Sequence, residues 1–248
     1  MEKKIREVPN RKSRSLAFGA GGSDKRRPMI VQVKICGLTR PEDAAAVAHA
    51  GADFAGLVFH PGSPRHLRPE QARAIAERLR GRVRIVALLV DPADGALGEA
   101  VAAAKPDLIQ LHGSESPARV AEIRARFGKP VIKALGIADD ADFERLPAYE
   151  AVADMLLFDA KPAPGVVPGG RGRAFDWQLL RKRTITGPWL LAGGLDANNV
   201  ARAIACAGAP GVDVSSGVES APGVQDAEAI RAFVSAARTT EPATEQTA

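Results

Sequence analysis

The sequence predicts an α/β protein, a single (β/α)8 barrel of the TIM type with a disordered tail at each end. Eight short apolar runs alternate with longer amphipathic segments, and most of the runs end 22 to 24 residues after the one before. Each run is rich in Val, Ile and Leu and is apolar on both faces, as parallel strands covered by helices are. Eight such units in about 208 residues suit a compact barrel.

The strands and helices follow one another in a regular order along the chain. The predicted strands are 31–37, 54–59, 84–90, 108–113, 131–136, 155–160, 189–194 and 211–217. The clearest helices are 39–51, 68–81, 196–208 and 225–238, and a shorter one is expected between 139 and 148. In the first helix, Thr39 is the predicted N-cap, Glu42 completes a capping box and Gly51 marks the end.

An open doubly wound sheet is the alternative architecture. It predicts fewer units and a GxGxxG motif after the first strand, and that motif is absent. The barrel is therefore the better prediction.

Composition excludes several classes of protein. The chain has 248 residues, 46% hydrophobic and 25% charged, which is ordinary for a globular protein. No run of 18 apolar residues lacks charge, so a membrane span is not expected. The two cysteines, Cys36 and Cys206, form no CxxC pair, so neither a disulfide framework nor a zinc site is predicted and a cytoplasmic location is expected.

The net charge of +5 comes from the amino terminus. Residues 1–28 hold nine Lys or Arg and three acidic residues, a net charge of +6, whereas the remaining 220 residues carry −1. We predict a disordered basic extension over residues 1–29, a barrel domain over 30–238 and a disordered tail over 239–248. Because the barrel is almost neutral, no nucleic-acid partner is expected.

Polar residues collect at the carboxyl ends of the predicted strands, where the active sites of such barrels lie. They are Lys34, Cys36, Arg65 in the loop after strand two, Gln110, His112, Asp159 and Asp213. Small residues after strands seven and eight predict a phosphate site, because backbone N–H groups there can approach an anion closely. Its members are Gly193, Gly194, Leu195, Ser215, Ser216 and Gly217, and Gly169 and Gly170 after strand six are expected to close over the same ligand.

Taken together, these motifs carry a resemblance. KICG, SPR, QLHG, FD before a GGRG and FDW stretch, LAGGL and DVSSGVE occur in the order and spacing typical of the phosphoribosylanthranilate isomerase family, from about residue 33 to residue 226. The resemblance implies an aldose–ketose (Amadori) rearrangement of N-(5-phosphoribosyl)anthranilate in tryptophan biosynthesis. It implies a phosphosugar substrate and neither metal nor cofactor.

The same resemblance assigns roles to three residues. It implies that Cys36 is the general base, that Asp159 is the general acid and that Arg65 binds the anthranilate carboxylate. The residues themselves agree with these roles. Lys34 and Cys36 alternate onto one side of a strand, so the ammonium should favour the thiolate, and burial at the barrel mouth would keep a proton on Asp159.

Several alternatives stay open at this point. Cys36 could be an ordinary core residue, Asp159 could cap a loop, and Asp213 is expected to be structural below the phosphate loop. Gln110 and His112 either touch the substrate or fill the rim. Arg171, Arg173 and Gln225 depart from the family pattern, but none of them is expected to touch the acid, the base or the carboxylate ligand.

Other functions also remain possible. One is a histidine-pathway isomerase, which generally uses two aspartates, and another is indole-glycerol-phosphate synthase, for which Lys34 and Lys133 are available. A barrel that serves only as a scaffold, or binds nucleic acid through residues 1–28, is a third. A monomer or weak homodimer is expected.

Overall fold

Eight parallel strands close into a barrel. The computed structural model describes residues 30–161 and 174–239. Each strand pairs with the next, and β8 pairs with β1. The strands are β1 (Gln32–Cys36), β2 (Phe54–Val58), β3 (Arg84–Leu89), β4 (Leu108–Leu111), β5 (Val131–Ile137), β6 (Met155–Ala160), β7 (Trp189–Leu191) and β8 (Gly211–Val214). The predicted barrel is confirmed, while residues 1–29 and 240–248 of the predicted tails lie outside the described residues.

Helices follow the strands and form the outer layer. They are α1 (Pro41–Ala50), α2 (Pro69–Leu79), α3 (Asp94–Ala104), α4 (Pro117–Phe127), α5 (Leu146–Glu150), α6 (Gln178–Arg181), α7 (Val200–Ala207) and α8 (Ala227–Arg238). None of the helices in the described ranges is long and apolar enough to cross a bilayer. The short helix expected between 139 and 148 is a 3-10 turn at Asp140–Phe143 followed by α5.

The predicted start of the first helix is wrong by one residue. Arg40, not Thr39, occupies the N-cap position, and Asp43, not Glu42, accepts the backbone N–H of Arg40 at 3.1 Å. The Thr39 hydroxyl instead donates to the carbonyl of Gly223, in the connection between β8 and α8. A tertiary contact has therefore displaced the local cap that the sequence pattern favoured.

Apolar side chains pack on both faces of the strands. Side chains alternate along each strand, so that one set fills the barrel and the other packs against the helices. The interior set is Phe54, Val86, Leu108, Ile132, Ala134, Met155, Leu157, Leu190 and Ala192. Closer to the carboxyl ends of the strands, Cys36, Val58 and Leu88 form a smaller interior cluster.

Aspartates at the amino ends of three strands are structural. Each one stands immediately before a strand and accepts the backbone N–H of a residue on the preceding strand. The pairs are Asp53 with Val33 (2.9 Å), Asp107 with Ile85 (2.7 Å) and Asp154 with Val131 (2.9 Å). These carboxylates join the strands two by two at the face opposite the predicted site, where barrel residues generally serve stability.

Candidate active site

Lys34 and Cys36 project from β1 into the barrel, as their alternation predicts. Lys34 Nζ lies 2.8 Å from Asp213 Oδ1, and the two residues are partners in the pairing of β1 with β8. Room for these groups is provided by Gly56 on β2. A Cβ at Gly56 would lie 2.7 Å from Cys36 Sγ and 3.2 Å from Lys34 Nζ. The thiol and the ammonium therefore share one small space beside a glycine.

Burial shifts the pKa values of Cys36 and Lys34. It raises the pKa of the Cys36 thiol above its usual range, and the nearby Lys34 charge lowers it by less than burial raises it. The expected influence of Lys34 is thus present, but by itself it does not produce a thiolate. Burial lowers the pKa of Lys34, but the charges of Asp213 and Cys36 and the hydrogen bonds to both groups together raise it above its usual value, so the lysine stays protonated.

Asp213 has a different position from the one expected. Burial raises the pKa of its carboxyl, and the 2.8 Å contact with Lys34 favours the ionised form that the geometry supports. Its charge acts on both Cys36 and Asp159. Asp213 is therefore paired with Lys34 and lies within electrostatic range of both the predicted base and the predicted acid, so its contacts are not confined to the phosphate loop.

Asp159 faces a histidine across the mouth. Its Oδ1 accepts the N–H of Ala160 at 2.8 Å, and its Oδ2 lies 3.3 Å from His112 Nε2. The other ring nitrogen of His112 lies 3.1 Å from Gln110 Nε2. Gln110, His112 and Asp159 therefore form a continuous chain of contacts from β4 to β6.

Arg65 is held at the mouth by an acidic partner that sequence reasoning missed. Its Nε and one terminal nitrogen contact the two carboxylate oxygens of Glu219 at 2.6 and 2.7 Å. The stem of Arg65 crosses Gly37, where a Cβ would lie 2.3 Å from Arg65 Cδ. Glu219 belongs to the DVSSGVE motif, which is the signal that could have identified it.

A small hairpin brings Glu219 to this position. It consists of β9 (Glu219–Ala221) and β10 (Val224–Gln225), which pair antiparallel between β8 and α8. Gln225 Nε2 donates to the carbonyls of Cys36 and Gly37 at 3.2 and 3.3 Å and lies 3.4 Å from Glu219 Oε1. The expectation that Gln225 touches neither the acid, the base nor the carboxylate ligand is therefore wrong for the base, because Gln225 contacts the backbone carbonyl of Cys36.

The predicted phosphate loops after β7 and β8 lie against each other. Gly193 and Gly194 have φ values of 89° and 65°, which favour glycine. A Cβ at Gly217 would lie 1.9 Å from the carbonyl oxygen of Leu195, so only glycine allows this approach. Asn199 orders the first loop by donating to Gly194 O at 2.8 Å.

The structure describes some of the other residues predicted for the phosphate site and not others. Ser215 and Ser216 are half-buried, and Ser216 opens a 3-10 turn over Ser216–Val218. A short extra helix beside the loops after strands seven and eight is a recurring part of barrel phosphate sites. Gly169, Gly170, Arg171 and Arg173 lie outside the described residues.

Lys133, the second lysine available to the synthase alternative, does not reach the mouth. Its neighbours Ile132 and Ala134 belong to the barrel interior, so Lys133 projects outward. It contacts Glu115 Oε2 and the carbonyl of Gly113, both at 2.7 Å. This lysine supports the connection between β4 and α4.

The described side chains do not form a metal site. Within residues 30–161 and 174–239, no three His, Cys, Asp or Glu side chains are grouped to hold an ion. What the mouth does gather is a thiol, an ammonium, three carboxyls, an imidazole and a guanidinium, beside glycine-rich loops that are predicted to bind a phosphate. Fold and site together place the chain in the class of (β/α)8-barrel enzymes, whose active sites lie at the carboxyl ends of the strands.

Comparison with known proteins identifies the family within that class. The profile described as N-(5'phosphoribosyl)anthranilate (PRA) isomerase matches residues 33–236. The N-(5'-phosphoribosyl)anthranilate isomerase of Azorhizobium caulinodans is 55% identical over 216 residues, which cover 87% of this chain and 95% of that protein. This chain therefore belongs to the N-(5'-phosphoribosyl)anthranilate isomerase family, and the predicted isomerase class and tryptophan pathway are confirmed.

Solved structures agree with this assignment. Phosphoribosyl anthranilate isomerase from Thermotoga maritima has a TM-score of 0.75 and 37% identity, covering 84% of this chain and 98% of that one. A second structure with 35% identity and a TM-score of 0.71, with the same coverage, is a complex with reduced 1-(o-carboxyphenylamino)-1-deoxyribulose 5-phosphate. That ligand combines a carboxyphenylamino group with a sugar phosphate.

Proposed function

We propose that Cys36 and Asp159 carry out the isomerisation of N-(5'-phosphoribosyl)anthranilate by general acid–base catalysis. The observation that supports this division of roles is the pair of side chains in one barrel mouth, Cys36 from β1 and Asp159 from β6, each within reach of the Asp213 charge. Groups on two different strands of one barrel mouth can serve two atoms of one sugar, the ring oxygen and C2.

Asp159 acts first in this mechanism. Its carboxyl donates a proton to the ring oxygen of the furanose while the C1–O bond breaks and the amine nitrogen forms a double bond to C1. The product is an open-chain iminium ion, and Asp159 is left as a carboxylate. A placed acid of this kind contributes about 10²–10⁴-fold to a rate.

Cys36 acts second. As a thiolate it removes the proton on C2, and the electron pair of the C–H bond neutralises the iminium to give an enolamine. Protonation at C1 and loss of the proton on O2 then give the ketone, so that no atom is gained or lost overall. The buried thiol has a raised pKa, and the cationic iminium adds to Lys34 a second positive charge that favours its ionisation.

The remaining predicted residues bind the substrate. Arg65 presents the planar guanidinium that suits a benzoate-type carboxylate, and Glu219 fixes its orientation. The loops containing Gly193, Gly194 and Leu195, with Ser215, Ser216 and Gly217, receive the phosphate. We further propose that Gly169 and Gly170 belong to the flap over the ligand.

The rest of the chain has a modest role in this proposal. The barrel over residues 30–238 is the catalytic domain, and residues 1–29 and 239–248 are appended to it. The enzyme works in the cytoplasm as a monomer or weak homodimer. It needs a small phosphosugar substrate and no nucleic acid or membrane partner.

Complementation of a tryptophan auxotroph that lacks this isomerase tests substrate and reaction together. We expect the full chain to restore growth, and we expect Cys36→Ala and Asp159→Ala to fail while the purified variants keep their circular dichroism spectra. Purified Arg65→Ala should show a raised KM with a smaller change in kcat.

Cys206→Ala is the matched control for the thiol, because Cys206 is half-buried on α7, away from the mouth. It should complement like the wild type. Full turnover by Cys36→Ala or by Asp159→Ala would show that the base or the acid is a different residue.

A further inference from the structure

Gln110 and His112 lie in the barrel mouth, but the proposed mechanism assigns them no step. Gln110 is completely buried, and its Nε2 is 3.1 Å from His112 Nδ1. His112 Nε2 is 3.3 Å from Asp159 Oδ2, slightly beyond the usual length of an N–H···O hydrogen bond. Such contacts in a site without substrate often shorten when the substrate binds.

The donor and acceptor roles of Gln110 and Asp159 favour one tautomer of the His112 imidazole. An amide nitrogen can only donate, so the Gln110 contact requires Nδ1 to be the acceptor. The ring proton of neutral His112 must then be on Nε2, the nitrogen that faces Asp159. In the opposite orientation of the amide, Gln110 Oε1 would require the proton on Nδ1, and two acceptors, Nε2 and the carboxylate, would face each other once Asp159 had given up its proton.

This arrangement matters most after the first proton transfer. A hydrogen bond to a carboxylate is roughly twice as strong as one between neutral groups. The Nε2–H group of His112 therefore interacts more strongly with Asp159 once its proton has gone to the ring oxygen. An interaction that strengthens as charge develops lowers a barrier rather than merely improving binding.

We propose that His112 is the positioning residue for Asp159, and that Gln110 acts through His112 by fixing its tautomer. With Ala160 N–H on Oδ1 and His112 on Oδ2, both carboxyl oxygens have a defined neighbour, so the group is held in one orientation. This inference rests on the proposed role of Asp159 and extends it to two residues on β4 and its end.

Steady-state kinetics on three variants test the proposal. His112→Ala should lower kcat up to about 10²-fold, the scale of a misplaced catalytic group, with little change in KM. His112→Gln keeps an N–H donor without a titrating ring and should recover part of kcat. Gln110→Leu should lower kcat while leaving the histidine in place.

A spectroscopic measurement tests the tautomer without relying on activity. The chain has four histidines, so the ring signals of His112 can be assigned in a ¹⁵N correlation spectrum by elimination, with Gln variants of His49, His60 and His66. We expect the proton of neutral His112 to be on Nε2 in the wild type, and a mixture of the two tautomers in Gln110→Leu. A wild-type proton on Nδ1 would overturn the proposal even if the His112 variants failed to fold.

His49→Gln is the matched control, because His49 is exposed on α1 and its Nδ1 lies 2.7 Å from the carbonyl of Ala45 in the same helix. Its kcat and KM should equal those of the wild type. A His112→Ala variant with raised KM and normal kcat would assign His112 to substrate binding and contradict its positioning role. If Asp159→Ala were fully active, the proposed function would fail first, so the two failures are distinguishable.

Discussion

At the scale of single residues, one buried cation has a strong influence on the ionisation of the Cys36 thiol. Lys34 Nζ contacts Asp213 and lies beside the Cys36 thiol, in the space that Gly56 leaves open. Burial raises the pKa of the thiol, and the Lys34 charge is the largest influence that lowers it. The fraction of thiolate at neutral pH therefore depends on this lysine.

Replacing Lys34 by Met should change both the pH profile and the stability. Activity that needs a thiolate increases as the pH rises toward the pKa of the thiol. Without the neighbouring cation, we expect the ascending limb of kcat/KM to move upward by roughly 1–3 pH units. Because Asp213 would be left as an unpaired buried charge, we also expect a loss of about 3–5 kcal/mol in the free energy of unfolding.

A double variant separates the two effects. Lys34→Met with Asp213→Leu removes the whole ion pair and should regain most of the lost stability, since replacing a buried pair by apolar groups is often neutral. It should not regain activity at neutral pH. An unchanged pH profile in Lys34→Met would contradict the role given to the lysine, and chemical denaturation together with initial rates supplies both measurements.

At the scale of elements, the connections after β7 and β8 depend on a close approach of two backbones. The hypothetical Cβ of Gly217 would lie 1.9 Å from the carbonyl oxygen of Leu195 and 3.0 Å from its carbonyl carbon. Backbone cannot move aside as a flexible side chain can. The two proposed phosphate loops can therefore approach this closely only because Gly217 has no side chain.

Gly217→Ala should force these loops apart and weaken binding of the phosphate. We expect KM for the phosphosugar to rise about tenfold or more, with a smaller change in kcat. Gly98→Ala is the control, because Gly98 lies within α3 and nothing stands within 4 Å of its hypothetical Cβ. That variant should bind normally and gain about 0.5–1 kcal/mol in stability. An unchanged KM in Gly217→Ala would remove these loops from the binding site.

At the scale of the whole molecule, charge is unevenly distributed along the chain. The first 28 residues carry +6, and the rest of the chain carries −1. The family profile begins at residue 33, after the basic segment. All eight strands of the barrel, from β1 (Gln32–Cys36) to β8 (Gly211–Val214), follow that segment in the chain.

Deleting residues 1–29 should therefore leave kcat, KM and the melting temperature unchanged. Analytical ultracentrifugation of both proteins should show the same monomer or weak dimer. The alternative is a nucleic-acid-binding role for the segment. If the full chain, but not the deletion variant, bound RNA or DNA with an affinity that fell steeply with salt, that alternative would be correct.

Local patterns predicted the strands well and the helix ends less well. Val, Ile and Leu runs are local signals, and all eight runs became strands of the barrel. The start of α1 was misplaced because the Thr39 hydroxyl bonds to Gly223, which is distant in sequence. A signal was overlooked in the aspartates that precede β2, β4 and β6, since each stands directly before an apolar run.

The sequence by itself determined the order of strands and helices, the end of the barrel at which reactive groups collect, and the family, because periodicity and motifs are properties of neighbouring residues. Only the tertiary structure decided which groups meet. Lys34 with Asp213, Arg65 with Glu219 and His112 with Asp159 join distant parts of the chain. Burial at these contacts, which depends on the closed barrel, then sets the charge of the thiol and the lysine.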